Sequence, residues 1–353
     1  MNINYKQLTF VREYRKYSQT ELASKIEGLS QSNLSKFEKG VGYLSSDVMD
    51  RMINFLGFPE AFYENTISNK AENAHYRRKK GMTKNERTNI ELSNKLIGYI
   101  IDQMGESVDF PDFSIKMIDL EDGYTPESAA IYTRRYFGLR DEPVRDIMSL
   151  LERNGVIIVE LDYDVDLFDG VSFVTDAGYY VVIINKNFSN DHKRFTLAHE
   201  LGHIVMHTSG EFLISDYRNR EEEANRFASE FLMPADVILN SLRGLKLQYL
   251  VELKRYWLTS MASIIRRAKD LRCITNDKYQ YFNIELSRRG YKKREPVEVY
   301  IDSPKLYYEA YRLHKDELEY SDAEIASAFA LPIDIINRFC LPPSSTLKLK
   351  LSI

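Results

Sequence analysis

The segment FTLAHELGHIVMH, Phe195 to His207, puts two histidines and a glutamate at spacings that suit metal chemistry. On an α-helix, residues i and i+4 lie about 40° apart around the axis and about 6 Å apart along it. His199 and His203 therefore point the same way and can grip one ion. Two imidazoles, a carboxylate and a water suit Zn²⁺, although other divalent ions accept the same donors. Glu200, beside the first histidine, can reach such a water and take its proton as general base. H-E-x-x-H on a helix is thus the pattern of a metal-dependent peptide hydrolase; the plain alternative is a half-buried helix with a chance pattern. Gly202 costs roughly 1 kcal/mol of helix propensity relative to Ala, so we expect another backbone to approach it closely. His207 lies about 12 Å beyond His199 on a straight helix, and no glycine separates it from His203. We expect it to be a structural residue, hydrogen-bonded near the helix end, and not a ligand.

A third ligand must come from elsewhere, and EEEANRFASEFLMP offers Glu221, Glu222, Glu223 and Glu230. Ala224, Phe227, Ala228, Phe231 and Leu232 define its buried face. Glu221 lies on that face and is the first choice, with Glu223 second. Glu222 points toward solvent, and an acidic helix start is also what the macrodipole favours. Asn225, one turn after Glu221, is placed to orient it.

A second kind of chemistry is suggested by SQTELASKIEGLSQSNLSKFEKG, from Ser18. It has the length and turn of a helix-turn-helix whose second helix enters the major groove of double-stranded DNA. Gln31, Ser32, Asn33, Ser35 and Lys36 are the candidate contacts on that helix, and Gln19 is placed for a phosphate. The competing expectation is a small helical bundle used for dimerisation. Dimers are common among proteins that read two half-sites, which makes a homodimer a further expectation. The basic cluster Arg77, Arg78, Lys79 and Lys80 either adds phosphate contacts or is a solvated linker face. YSDAEIASAFALPIDIINRF and YWLTSMASIIRRAKDL also have helix-turn-helix form, and we expect such pairs to pack against a neighbour.

These residues need elements to hold them. Residues 4 to 64 show apolar positions at helical spacing, with a capping-box start at Ser18 and Glu21. PESAAIYTRRYFG and PVRDIMSLLERNG read as helices; VIIVEL, VSFVT and YYVVIIN read as strands. The last strand could offer an edge to an extended peptide. A short hairpin is expected near Tyr279 in an otherwise helical C-terminal stretch. The predicted fold is multidomain, α and α+β: a helix-turn-helix domain at 1–64, a helical and basic linker at 65–120, a zincin-like domain with a small sheet at 121–240, and a helical region at 241–353.

Bulk properties narrow the function classes. With 353 residues and a net charge of −4, the chain suits two or three domains and is no polyanion binder by overall charge. Two distant cysteines, Cys273 and Cys340, exclude a disulfide framework. No apolar run is long enough for a membrane span, and a cytoplasmic location is the expectation.

FTLAHELGHIVMH followed by EEEANRFASEFLMP resembles the ImmA/IrrE family of zinc metallopeptidases, and the similarity runs from about Tyr124 to Pro296. It takes in NGVIIVEL, DGVSFV, YYVVIINKNFSNDHKRFTLAHELGH, LKRYWLTSMASIIRRAKDL and GYKKREP. The resemblance implies His199 and His203 as ligands, Glu200 as base and Glu221, the first residue of E-x-x-A-N, as third ligand. It also implies cleavage of a regulatory protein such as a repressor. Residues 5 to 63 resemble Xre-type, lambda-repressor-like helix-turn-helix domains. Together they predict a DNA-binding regulator fused to a zinc endopeptidase that cuts a repressor, a partner or itself. The alternatives are a non-catalytic transcription factor with a sensing or partner-binding domain, and a toxin–antitoxin or phage-immunity component.

Overall fold

The structure, a computed structural model, describes residues 3–64, 67, 82–163, 168–208, 214–215 and 217–341. The cluster at residues 77–80 lies outside them. The chain forms two compact units. One takes in the described residues of 1–69, 83–109 and 306–353, and the other those of 70–82 and 110–305. This grouping differs from the boundaries at 64, 120 and 240 drawn from composition. Amphipathic helices joined by polar segments carry no local mark of which neighbour they will cover.

The described residues of the first unit form helices and no strand. It begins with helices Tyr5–Tyr14, Gln19–Lys25, Gln31–Glu38, Ser46–Leu56 and Glu60–Glu64. Leu8, Val11, Leu22, Leu34 and Met52 are fully buried between them, as their helical spacing requires. Helix Lys84–Gly105 starts in a capping box of Thr83 and Glu86 and buries Leu96, Ile97, Ile100, Ile101 and Met104. The C-terminal pair Asp322–Ala328 and Ile333–Phe339 packs within this unit. Arg15 pairs with Asp334 at 2.6 Å, Arg338 donates to the Tyr14 hydroxyl at 3.0 Å, and Tyr99 donates to the Phe329 carbonyl at 2.9 Å.

The second unit holds a three-stranded mixed sheet, β1 (Val156–Leu161), β2 (Gly170–Val174) and β3 (Tyr180–Asn185), in the order β1-β3-β2. β3 runs parallel to β1, with Val156 opposite Tyr180, and antiparallel to β2, with Gly170 opposite Ile184. The strand before the HELGH segment is therefore central. It has ladder partners on both sides and cannot offer the peptide edge expected of it.

Around the sheet lie helices Pro126–Tyr136, Ile147–Glu152, Asn190–His207, Arg220–Leu232, Ala235–Leu242, Leu250–Trp257, Met261–Asp270 and Asn276–Arg288. Ile158, Val182 and Ile184 share one core with Leu197, Leu201, Ile204, Phe227, Phe231, Trp257 and Ile264. The hairpin expected near Tyr279 is instead the helix Asn276–Arg288. Thr275 caps it by accepting from the Lys278 amide, and Phe282 and Leu286, four apart, are buried. A cap and an i,i+4 apolar pair outweigh the strand preference of the tyrosines. Among the described residues no helix is long and apolar enough to cross a membrane.

Candidate metal centre

The helix Asn190–His207, hereafter the metal helix, is anchored by charged side chains near its start. In its first turn Asp191 pairs with buried Lys254, which also meets Glu295 at 2.7 Å. The buried Arg194 guanidinium donates to the Arg145 carbonyl at 2.7 Å and also to that of Val144. Lys193 reaches Glu160 on β1 at 2.9 Å. Satisfying these buried charges fixes the height of the helix against the sheet.

Helix Arg220–Leu232, the carboxylate helix, is capped by Asn219, which accepts from the Glu222 amide. Arg226 forms a two-pronged pair with Glu127 at 2.7 Å on each arm, and Glu230 pairs with Arg267. Ala224, Phe227, Ala228 and Phe231 are fully buried. A Cβ on Gly202 would stand 3.1 Å from Phe227 Cδ1 and 3.3 Å from Ala224 Cα. The glycine is what lets the two helices approach this closely, as its cost to the metal helix suggested.

That approach brings three side chains to one point. His199 Nε2 and His203 Nε2 are 3.1 Å apart. Glu221 Oε2 is 3.5 Å from the first and Glu221 Oε1 is 3.5 Å from the second. Among the described residues these three form the one group able to hold a metal ion, with ligand atoms all within 4.8 Å of one another. Both histidines are buried, while the Glu221 side chain is 42% exposed.

The donor set fits a zinc ion in kind and in protonation. His199 Nδ1 lies 3.1 Å from Asn225 Oδ1. Assigned as an oxygen, that atom only accepts, so Nδ1 carries the proton and Nε2 of the neutral ring presents a lone pair. Asn225 thus orients His199, whereas sequence position had suggested Glu221; one turn of helix swings it across the gap to the imidazole. Glu221 turns its two carboxylate oxygens toward the Nε2 atoms of His199 and His203, one oxygen to each. Glu221 is then an anion facing two nitrogens, an arrangement that a cation completes.

Glu200 is buried, and its Oε2 accepts from Ser172 Oγ at 2.7 Å. Ser172 was not singled out in the sequence. Its signal is the two-residue spacing of small residues Gly170 and Ser172 in GVSFV. Strand alternation puts both on one face, and a Cβ on Gly170 would stand 2.6 Å from Thr196 on the metal helix.

The remaining candidates fall elsewhere. Glu222 stands on the capped first turn, with its amide donating to Asn219 at 3.1 Å. Glu223 Oε2 meets His207 Nε2 at 2.8 Å, and Arg218 grips both oxygens of Glu223. His207 Nδ1 lies 2.9 Å from His203 Nδ1. Burial pushes the His207 imidazole below its ordinary range despite Glu223. Glu223 is itself lowered to about 2, because hydrogen bonds from His207 and Arg218 outweigh its burial.

A cleft of 1310 Å³ adjoins the centre, with Glu221 and Asn225 on its wall and the segment from Tyr291 to Val299 across from the start of the metal helix. Small-molecule pockets run to about 1,000 Å³, so this cleft has room for a stretch of peptide.

In the other unit, helix Gln31–Glu38 is capped by Ser30. It exposes Gln31, Ser32, Asn33 and Lys36, leaves Ser35 half-buried and buries Leu34. Gln19 donates to Glu38 at 2.6 Å and accepts from Gln31 at 3.0 Å, while Arg12 clamps Glu38. The two glutamines are thus held as a pair at the start of the second helix.

Residues 151–269 match the family model of the IrrE N-terminal-like domain, a peptidase family, and residues 11–63 match a helix-turn-helix family model. A comparison with curated proteins returns no match. The matches make the N-terminal helices a DNA-binding module and the sheet-bearing unit a protease-like domain.

Proposed function

We propose that this chain, which joins a helix-turn-helix module to an IrrE-type peptidase-family domain, is a transcriptional regulator carrying a zinc-dependent endopeptidase. The observation that carries the proposal is the convergence of His199, His203 and Glu221 beside buried Glu200. His199, His203 and Glu221 are the residues that would hold zinc. Bound there, zinc would supply Lewis acidity to a peptide carbonyl and to a water molecule.

The chain's own groups do the rest. Glu200 takes a proton from the attacking water at its carboxylate and returns it to the leaving amide nitrogen. Ser172 holds that carboxylate against β2, and Asn225 keeps the His199 lone pair on Nε2. The cleft beside Glu221 receives an extended segment. A regulatory protein suits a peptidase tied to a DNA reader, and the substrate is a repressor, a partner or this chain within residues 65–120. Gln19, Gln31, Ser32, Asn33, Ser35 and Lys36 form the DNA-facing set.

One observation favours a second reading, in which the domain binds a ligand or partner without turnover: Glu200 is buried and already engaged by Ser172. Glu200→Gln separates the two. Zinc content is measured alongside intact masses after incubation with the candidate substrate. The peptidase reading expects His199→Ala to lose metal, and Glu200→Gln to keep metal and lose all cleavage. Regulation that survives Glu200→Gln, with no cleavage product from the wild type, would leave the non-catalytic reading.

A further inference from the structure

We propose that His207, Glu223 and Arg218 form a positioning relay that sets the tautomer and orientation of His203 and thereby tunes metal affinity. The proposal rests on the metal-centre reading above but assigns a role to three residues outside it. Arg218 Nε and Nη2 donate to Glu223 Oε1 and Oε2 at 2.9 and 2.8 Å. Glu223 Oε2 lies 2.8 Å from His207 Nε2, and His207 Nδ1 lies 2.9 Å from His203 Nδ1.

The direction of the protons follows from the far end. A carboxylate gripped by an arginine only accepts, so His207 Nε2 carries a proton and donates it. A neutral ring has one N–H, so His207 Nδ1 is an acceptor. The proton in the contact between the rings therefore belongs to His203 Nδ1, and His203 Nε2 is left with a lone pair aimed at His199 and Glu221. Asn225 does the same for His199 in one step; the partner at His203 Nδ1 is His207, one turn on along the same helix, and Glu223 and Arg218 complete the chain behind it. His203, His207 and Glu223 are all well shielded, with side-chain exposures of 0%, 0% and 16%. A broken link would not be readily replaced by solvent.

This assignment also accounts for two sequence features. His207 stands at the last position of the metal helix, four residues past His203, too far to be a ligand but one turn from its ring. Glu223, on the carboxylate helix with Glu221, serves the second histidine while Glu221 faces the metal point.

Zinc affinity, measured by chelator competition without any peptide, tests the relay. His207→Phe keeps a ring in the buried site but cannot accept from His203. It should weaken zinc binding 10- to 100-fold, about the usual cost of losing a ligand's outer partner. His207→Gln offers an acceptor on one side and a donor on the other and should recover most of that loss. Adding Glu223→Ala to His207→Phe should weaken binding no further, since Glu223 acts through His207. Unchanged affinity in folded His207→Phe, or additive losses in the double variant, would overturn the relay.

If His207→Phe does not fold, histidine ¹⁵N spectra of the metal-free wild type decide. They should show the proton on His203 Nδ1 and on His207 Nε2; a proton on His203 Nε2 overturns the proposal. A wild type that binds no zinc removes the metal centre, and the same spectra still report on the relay. Failure of the peptidase to cut any substrate leaves all of these measurements unaffected.

Discussion

Gly202 is where helix packing and metal binding meet, and Gly202→Ala puts the two in competition. The added methyl would lie 3.1 Å from Phe227 Cδ1, 3.2 Å from Phe227 Cγ and 3.3 Å from Ala224 Cα. Carbon atoms settle at about 3.5–4.0 Å, so the carboxylate helix must withdraw by about 0.2–0.9 Å or the metal helix must bend. The ring of Phe227 can yield somewhat; the Cα of Ala224 is backbone and cannot turn away. Alanine adds about 1 kcal/mol of helix propensity, while overpacking a filled interior costs about 1–3 kcal/mol. The net expectation is a loss of about 0–2 kcal/mol in the metal-free protein.

The larger effect is on metal. Glu221 stands three residues before Ala224 and moves with it, and functional geometry must hold to about 0.5 Å. Zinc affinity should fall by about 10- to 100-fold. Urea unfolding of metal-free protein gives the first quantity, and chelator competition gives the second. A variant stabilised by the full propensity gain, with zinc affinity equal to wild type, would refute the close-approach account.

Lys254→Met should cost about 3–5 kcal/mol in urea unfolding, because Asp191 and Glu295 are then left without their buried cation. The same pair predicts a pH dependence. Burial acts to raise the Asp191 carboxyl, but hydrogen bonds from Lys254 and Ser189 outweigh it and hold the group below its ordinary 3.8. A depressed carboxylate contributes stability that is complete above its unfolded pKa and is lost as pH falls through the folded one. The gap between wild type and Lys254→Met should therefore narrow as pH drops below 3.8, read from urea midpoints across that window. Ser172→Ala should leave zinc content unchanged and slow cleavage, since it removes the Ser172 hydrogen bond to the Glu200 carboxylate without touching a ligand; equal rates would argue against Ser172 as its support. Lys36→Ala should lower the salt slope of DNA binding by about one, measured by anisotropy over a salt series.

Local chemistry was legible in the sequence because a helix enforces its own geometry. A spacing of four places His199 and His203 on one face whatever the rest of the chain does, and Ser18 with Glu21 marks a helix start within four residues. The apolar face Ala224, Phe227, Ala228 and Phe231 likewise follows from periodicity alone. What crosses between elements was not legible. Nothing in EEEAN states that Asn225 will meet His199, that Glu223 will meet His207, or that Ser172 on β2 will hold Glu200. Those contacts depend on the height and rotation of two helices and a strand, which Gly202, Gly170 and the buried pairs Lys254–Asp191 and Arg267–Glu230 decide together. The central place of β3 and the return of residues 306–341 to the N-terminal helices belong to the same class. Each apolar face declares that it must be covered, and only the folded chain settles by what.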